Sequence, residues 1–290
     1  MNSLNEYVKY LSMLEQYKNY KNNPCNSSFF NYDFAIDTSE LKTYMPKLSL
    51  NNFENDWEHF KNILKWVKTN LPHDGYNNSN VPYDAISIIK FMKNKQIGPS
   101  CMMLSFALRD ILGLYGYYAR VVQTCPFDPR ILDSHWKVLA YSNHFEKWVM
   151  LDPSWCAYCL TDDIPLSIQE IRTMLIKREK FDIINHSGFS KAHYHYLLCR
   201  YYFHFNSFIF NETGMFEKSD QRRINLSPEG FNANDYFNER WHLEEPDMKK
   251  WMKVILARFH ENTSYINDEE AFWQIPPECL ETSNKNRLQV

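Results

Sequence analysis

The sequence predicts an α+β fold, in which helices come first along the chain and strands follow them. Before residue 115, apolar side chains recur every three or four positions, which is the spacing of amphipathic helices. After residue 116, three segments are rich in aromatic and β-branched residues, which is typical of strands. The 290 residues show no linker and no internal repeat, and a chain of that length can bury a sizeable core. We therefore expect helices packed on an antiparallel sheet.

The first 50 residues predict one amphipathic helix and an irregular, Asn-rich connection that contains Pro24 and Pro46. The helix follows from apolar residues at helical spacing, namely Leu4, Val8, Leu11 and Leu14. We interpret residues 1–50 as an N-terminal helical extension. This segment lacks the basic start and apolar block of a signal peptide.

Three further helices are predicted between residues 51 and 116. The segments "NNFENDWEHFKNILKWVKTNL" and "YDAISIIKFMKN" supply the first two, and Pro82 lies near the start of the second. The third begins at Cys101, directly after "GPS", and ends at Gly113 or Gly116. Its buried face is predicted from four apolar residues at helical spacing, which are Leu104, Leu108, Ile111 and Leu112.

The clearest hairpin is formed by "HWKVLAY" and "KWVMLD", which a short turn joins. A four-residue turn over residues 142–145 would pair Tyr141 with Glu146. Counting outward from that pair places His135 opposite Asp152 on one face, where opposed Cβ atoms lie about 5 Å apart. A one-residue change in the turn would send the two side chains to opposite faces.

After the hairpin, the sequence predicts a loop and a helix, with a capping box of Ser167 and Glu170 at the helix start. From about residue 181 the chain is rich in aromatic residues ("HYHYLLCRYYFHFNSFIF"), and we expect this part to pack back as strands. We divide the remainder into a core over residues 51–180 and an aromatic-rich C-terminal part over residues 181–290, packed on that core.

Composition and charge exclude several classes of protein. The net charge of −3 argues against a general nucleic-acid binder, which needs a basic face. No run of about 18 apolar residues occurs, so we expect no contact with a membrane. The missing signal-peptide pattern predicts a cytoplasmic protein. Seven cysteines are an odd number without a framework spacing, which favours reduced thiols.

Cys101 is the strongest candidate for a reactive side chain. Its place at a predicted helix start favours the thiolate, because the free amides and the dipole of a helix N-terminus stabilise negative charge. Its own backbone N–H is available as an oxyanion donor. With His135 as proton acceptor and Asp152 as the group that orients the ring, the three residues make a Cys-His-Asp triad.

Several fragments occur in a particular order: "HDG" at residues 73–75, Cys101 at a helix start, "LGLYGYYARVV", "SHWKV" with His135, "WVMLDPSW" with Asp152, and then "PLSIQEIR". By this order and spacing, residues 53–180 resemble the transglutaminase-like superfamily of the papain-like cysteine enzymes, and look like its bacterial members. The resemblance implies a papain-like α+β core with Cys101 as nucleophile, His135 as base and Asp152 as orienting group. It also implies an attack on the amide carbonyl of a protein or peptide substrate.

The second donor of an oxyanion hole is not readable from the sequence. Trp66, Tyr76 and Gln96 are candidates, because they lie in the helices and the loop that precede Cys101. The resemblance makes His73 a structural support of the site. The acidic pair at residues 162–163 is too sparse for a calcium loop, so we expect neither a metal nor a cofactor.

Other interpretations of these residues stay open. A lone cysteine is commonly a small core residue, and a histidine on a strand is commonly satisfied by a neighbour. Cys156 and Cys159 form a C-x-x-C pair that could bind zinc or act in redox chemistry, with Cys199 and two histidines, His193 and His195, nearby in sequence. A catalytically inactive, transglutaminase-like binding module is the main alternative to an enzyme.

Overall fold

A computed structural model describes residues 2–21, 30, 32, 38–45, 53–75, 77, 79–209 and 222–276. It confirms the predicted α+β class. The helices are α1 (Asn2–Gln16), α2 (Thr38–Tyr44), α3 (Asp56–Asn70), α4 (Ala85–Lys95), α5 (Cys101–Leu114), α6 (Ile168–Lys177), α7 (Lys191–Tyr201), α8 (Ala233–Glu244), α9 (Lys250–Glu261) and α10 (Glu269–Phe272). The strands are β1 (Ala119–Cys125), β2 (His135–Ser142), β3 (Lys147–Leu151), β4 (Ala157–Thr161), β5 (Ile164–Pro165), β6 (Asp182–Asn185), β7 (His204–Phe208), β8 (Arg223–Leu226) and β9 (Thr263–Ile266).

The described strands form two sheets. The larger has the order β3-β2-β1-β7-β8-β9 and is antiparallel except for the β8–β9 pair. The smaller has the order β5-β4-β6 and is antiparallel. Because β7 pairs with β1, the large sheet crosses the boundary that we place at residue 181. The division into a core and a C-terminal part stays a proposal.

The large sheet separates two apolar clusters. Alternate residues of β2 belong to different clusters, with Val138 in one and Leu139 in the other, as expected when successive side chains point to opposite faces. Helices α3, α4 and α5 cover the first face, and α1, α6 and α7 contribute to the second. Helix α5 packs directly on β1 and β2, as predicted, and the face formed by Leu104, Leu108, Ile111 and Leu112 is fully buried.

The prediction of strands after residue 181 is wrong for residues 191–201, which form α7. Tyr194, Leu198 and Tyr201 are all buried and lie four and three positions apart, which is a helical spacing. The high aromatic content concealed this period. Within the aromatic stretch "HYHYLLCRYYFHFNSFIF", the prediction of strands is correct only for β7. Further helices, α8 and α9, follow later in the chain.

The N-terminal extension also differs from its prediction. Helix α1 forms as expected, but Leu4 and Val8 are exposed, and only the C-terminal part of its apolar face is covered. Leu14 is fully buried against the second cluster. A second helix, α2, lies within the segment that was predicted to be an irregular connection.

Among the residues that the structure describes, no helix combines the length and the apolar character needed to cross a membrane.

Candidate active site

Cys101 is the first residue of α5, as predicted. The side chain of Ser100 caps the helix by accepting a hydrogen bond from the Met103 N–H at 3.5 Å. The N–H groups of the first helical turn have no partner within the helix, so the backbone N–H of Cys101 is available to a ligand. Cys101 is a free cysteine and, as a residue, is partly exposed, in contrast to the other described cysteines, which are buried.

The hairpin forms, but its register differs from the prediction by two residues. Ser142 pairs with Lys147 and Leu139 with Met150, so the residue opposite Asp152 is Lys137 rather than His135. A shift of two keeps every side chain on its predicted face, because the side-chain period of a strand is two. His135 therefore lies diagonally across from Asp152, within reach of its side chain.

His135 and Asp152 are hydrogen-bonded as predicted. Nε2 of His135 donates to Oδ2 of Asp152 at 2.8 Å. The other carboxylate oxygen accepts the backbone N–H groups of Ser154 and Trp155, which makes Asp152 a turn residue as well as a partner of the histidine. Because Nε2 is occupied, the ring presents Nδ1 to any further partner.

Two buried partners of Asp152 were missed by the sequence analysis. Nζ of Lys137 donates to Oδ2 at 2.7 Å, and the hydroxyl of Tyr194 donates to the same oxygen at 2.8 Å. Lys137 also donates to the Tyr194 hydroxyl at 2.8 Å, which closes a three-membered network. The sequence feature that could have revealed Lys137 is its position two residues after His135, in an otherwise apolar strand. Tyr194 comes from α7, which the sequence analysis had not predicted.

The electrostatics of the site favour an ion pair. Burial raises the pKa of the Cys101 thiol, but hydrogen bonds and charge interactions with His135 and His73 more than offset this effect and lower the pKa to about 6. Burial lowers the pKa of His135, but the charge and the hydrogen bond of Asp152 raise it to about 9. Between these two pH values the pair exists as thiolate and imidazolium.

The carboxylate of Asp152 is held in its ionised form. Burial raises its pKa, but the charges and hydrogen bonds of His135 and Lys137 outweigh burial and bring the pKa well below the usual range. An ionised carboxylate is what a histidine needs in order to keep its ring orientation and its positive charge.

The four supporting candidates have different positions. The side chain of His73 hydrogen-bonds the Cys101 thiol. None of the hydrogen bonds among the described residues joins Trp66 or Gln96 to Cys101; Trp66 packs partly buried on the first cluster, and Gln96 is exposed at the C-cap of α4. Tyr76 lies outside the described residues.

The loop that leads to His135 is held by the C-terminal part of the chain. Tyr201 of α7 stacks on the His135 ring at 6.4 Å between centroids, and its hydroxyl donates to Asp133 at 2.6 Å. Arg240 of α8 donates to the backbone carbonyls of Ile131, Leu132 and Asp133. Residues after 181 thus position the strand end that carries His135.

The C-x-x-C pair does not form a joint site. Cys156 belongs to the first apolar cluster and Cys159 to the second, so the two thiols lie on different faces of the fold. Burial raises the pKa of Cys156 to about 11 and that of Cys159 to about 12. Across the described ranges, no group of three or more metal-ligating side chains occurs.

Comparison with known proteins gives one structural similarity. A crystal structure from Cytophaga hutchinsonii, described as that of a "putative cysteine protease", is 17% identical to this chain and superposes with a TM-score of 0.33. The similarity covers 48% of this chain and 47% of that chain, so the chain spans about half the length of the protein that it matches. No family model and no curated protein matches the sequence.

Proposed function

We propose that this protein is a cysteine-dependent acyl-transfer enzyme of the transglutaminase-like superfamily, with Cys101 as nucleophile, His135 as base and Asp152 as orienting group. The proposal is supported by one observation above all. The ring of His135 is hydrogen-bonded to the Cys101 thiol on one side and to the Asp152 carboxylate on the other. A nucleophile, a base and an orienting group in series are the arrangement that activates a thiol for attack on a carbonyl.

The proposed reaction has two halves. The Cys101 thiolate attacks an amide carbonyl, the carbon–sulfur bond forms, and the imidazolium of His135 protonates the departing amine as the carbon–nitrogen bond breaks. Water or a second amine then attacks the thioester and gives its proton to His135, and the carbon–sulfur bond breaks to release the Cys101 thiolate. Hydrolysis and transfer differ only in this second nucleophile. A cytoplasmic peptide or a glutamine side chain is the substrate we propose, with peptide or amide hydrolysis favoured over crosslinking.

A peptide screen tests the proposal. Glutamine-containing peptides are incubated with the protein with and without a primary amine, and ammonia release, peptide cleavage and amine incorporation are measured. We expect turnover in at least one assay, and its loss in Cys101→Ala by roughly 10³-fold or more. A wild-type protein that turns over no peptide, and whose Cys101 is also not acylated by an activated ester, would instead support an inactive binding module.

A further inference from the structure

His73 is a second imidazole on the Cys101 thiol, and the triad does not use it. Its side chain hydrogen-bonds Cys101. Its Nε2 atom is buried and has no hydrogen-bond partner among the described residues. None of the described hydrogen bonds gives His73 a carboxylate partner, whereas His135 has Asp152. A general base of the triad type needs such a partner, so His73 is placed for a different role.

The loop that carries His73 is held against the loop that precedes Cys101 by hydrogen bonds and by close packing of the backbone. The Asp74 N–H donates to the Pro99 carbonyl at 2.9 Å, and the side-chain amide of Asn77 donates to the Gly98 carbonyl at 2.7 Å. Gly98 lies so close to Pro72 that a Cβ on it would meet the Pro72 carbonyl oxygen at 2.0 Å. The distance between His73 and the start of α5 is therefore set by packed backbone.

We infer that His73 is the second donor of the oxyanion hole and acts together with the backbone N–H of Cys101. This inference rests on the proposed function and deepens it. When the thiolate attacks a carbonyl carbon, the electron pair of the C=O bond moves to the oxygen, which lies two bonds from Sγ. A ring N–H that contacts the sulfur before attack is within reach of that oxygen after it. The N–H group that stabilises negative charge on the sulfur before attack then stabilises it on the oxygen, as an effective oxyanion hole requires.

If His73 has this role, its loss affects two reactions of Cys101 differently. Acylation by p-nitrophenyl acetate passes through a tetrahedral oxyanion and releases p-nitrophenolate. Alkylation by iodoacetamide displaces iodide from carbon and forms no oxyanion. Both reactions consume the same thiolate, but only acylation needs a second donor to stabilise an oxyanion. The loss of His73 also removes a hydrogen bond that favours the thiolate, and measurement above the thiol pKa of each variant cancels that effect.

The test compares the two rates in His73→Ala, His73→Asn and His73→Gln, with the exposed His144→Ala as the matched control and Cys101→Ala as the blank. We expect His73→Ala to lower the acylation rate about 100-fold or more. Its alkylation rate stays close to that of the wild type. Asn or Gln, which retain an N–H donor, recovers part of the acylation rate. His144→Ala changes neither rate.

Two results would overturn the inference. One is a loss of acylation and alkylation by the same factor, which would make His73 a support of the thiolate only. The other is an unchanged acylation rate in His73→Ala. In both cases the Cys101-dependent release of p-nitrophenolate survives as support for the proposed function. If the wild-type protein releases no p-nitrophenolate and turns over no peptide, the proposed function itself fails, and the inference fails with it. If it turns over a peptide alone, the peptide rate takes the place of the acylation rate in the same comparison.

Discussion

At the scale of single residues, the chemistry of the site depends on how Asp152 is surrounded. Its Oδ2 atom receives an imidazole, an ammonium group and a phenol, all from buried or nearly buried side chains. Cys101, His135 and Asp152 could be predicted because each follows a local motif. Lys137 and Tyr194 could not be placed at the site from sequence, because their role depends on the exact register of the hairpin and on a helix more than 40 residues later.

Lys137 is expected to moderate the pKa of His135, which Asp152 raises. Its positive charge lowers that pKa, so its removal should raise the pKa above the wild-type value of about 9. Lys137→Met, which keeps most of the side-chain volume, is the variant to make. An NMR titration of the His135 ring measures the pKa directly. The imidazolium then persists to higher pH than in the wild type.

Lys147→Met is the control, because Lys147 lies on the same hairpin but pairs with the exposed carboxylate of Glu170. Its His135 should titrate as in the wild type. A pKa of His135 that is unchanged or lower in Lys137→Met would contradict this prediction.

At the scale of elements, the prediction was accurate where local signals are strong and failed where distant contacts decide. Helix α5 was predicted from its period and from the "GPS" that precedes it. The hairpin register was wrong by two because Ser142 ends β2 instead of opening the turn. Asp56 of α3 accepts hydrogen bonds from the Ser142 hydroxyl and the Asn143 N–H, and this distant contact fixes where the turn begins.

The approach of the His73 loop to the start of α5 can be tested with two glycines. In Gly98→Ala, the added Cβ would lie 2.0 Å from the Pro72 carbonyl oxygen, so the two loops must separate. We expect a loss of about 2 kcal/mol in the free energy of unfolding, measured in urea. Acylation of Cys101 by p-nitrophenyl acetate should also slow, because His73 moves with its loop.

Gly75→Ala is the matched control. There the nearest atom to the new Cβ is Cε1 of His73 at 3.6 Å, an ordinary contact distance, and the substitution should leave both stability and rate close to the wild type. The packing account would be contradicted if the two alanine variants unfolded at the same urea concentration as the wild type.

At the scale of the whole molecule, segments that lie far apart in the sequence build one sheet and one of its two apolar faces. β7 pairs with β1 in the middle of the large sheet, and Tyr194 and Phe205 belong to the second apolar cluster. Pairing between β1 and a strand some 80 residues later has no local signal in the sequence. The α+β class was predictable from the order of patterns, whereas this long-range closure was not.

The fragment of residues 51–180 is therefore expected not to fold cooperatively. It lacks β7, so the edge of β1 is left unpaired, and it lacks the aromatic side chains that cover the second face. Urea denaturation followed by circular dichroism should show a cooperative transition for the full chain and none for the fragment. A cooperative transition in the fragment, with Cys101 still reactive, would establish residues 51–180 as an independent domain.

The pH dependence of Cys101 alkylation tests most directly whether Cys101 is a thiolate held by His135. Iodoacetamide labelling is measured across pH with mass-spectrometric site mapping, for the wild type and for His135→Ala. Because only the thiolate reacts, the Cys101 rate should reach half its maximum near pH 6 in the wild type. In His135→Ala, the midpoint should move up toward or beyond the ordinary thiol value of about 8.5. A wild-type midpoint near 8.5, or one that His135→Ala does not move, would contradict the account.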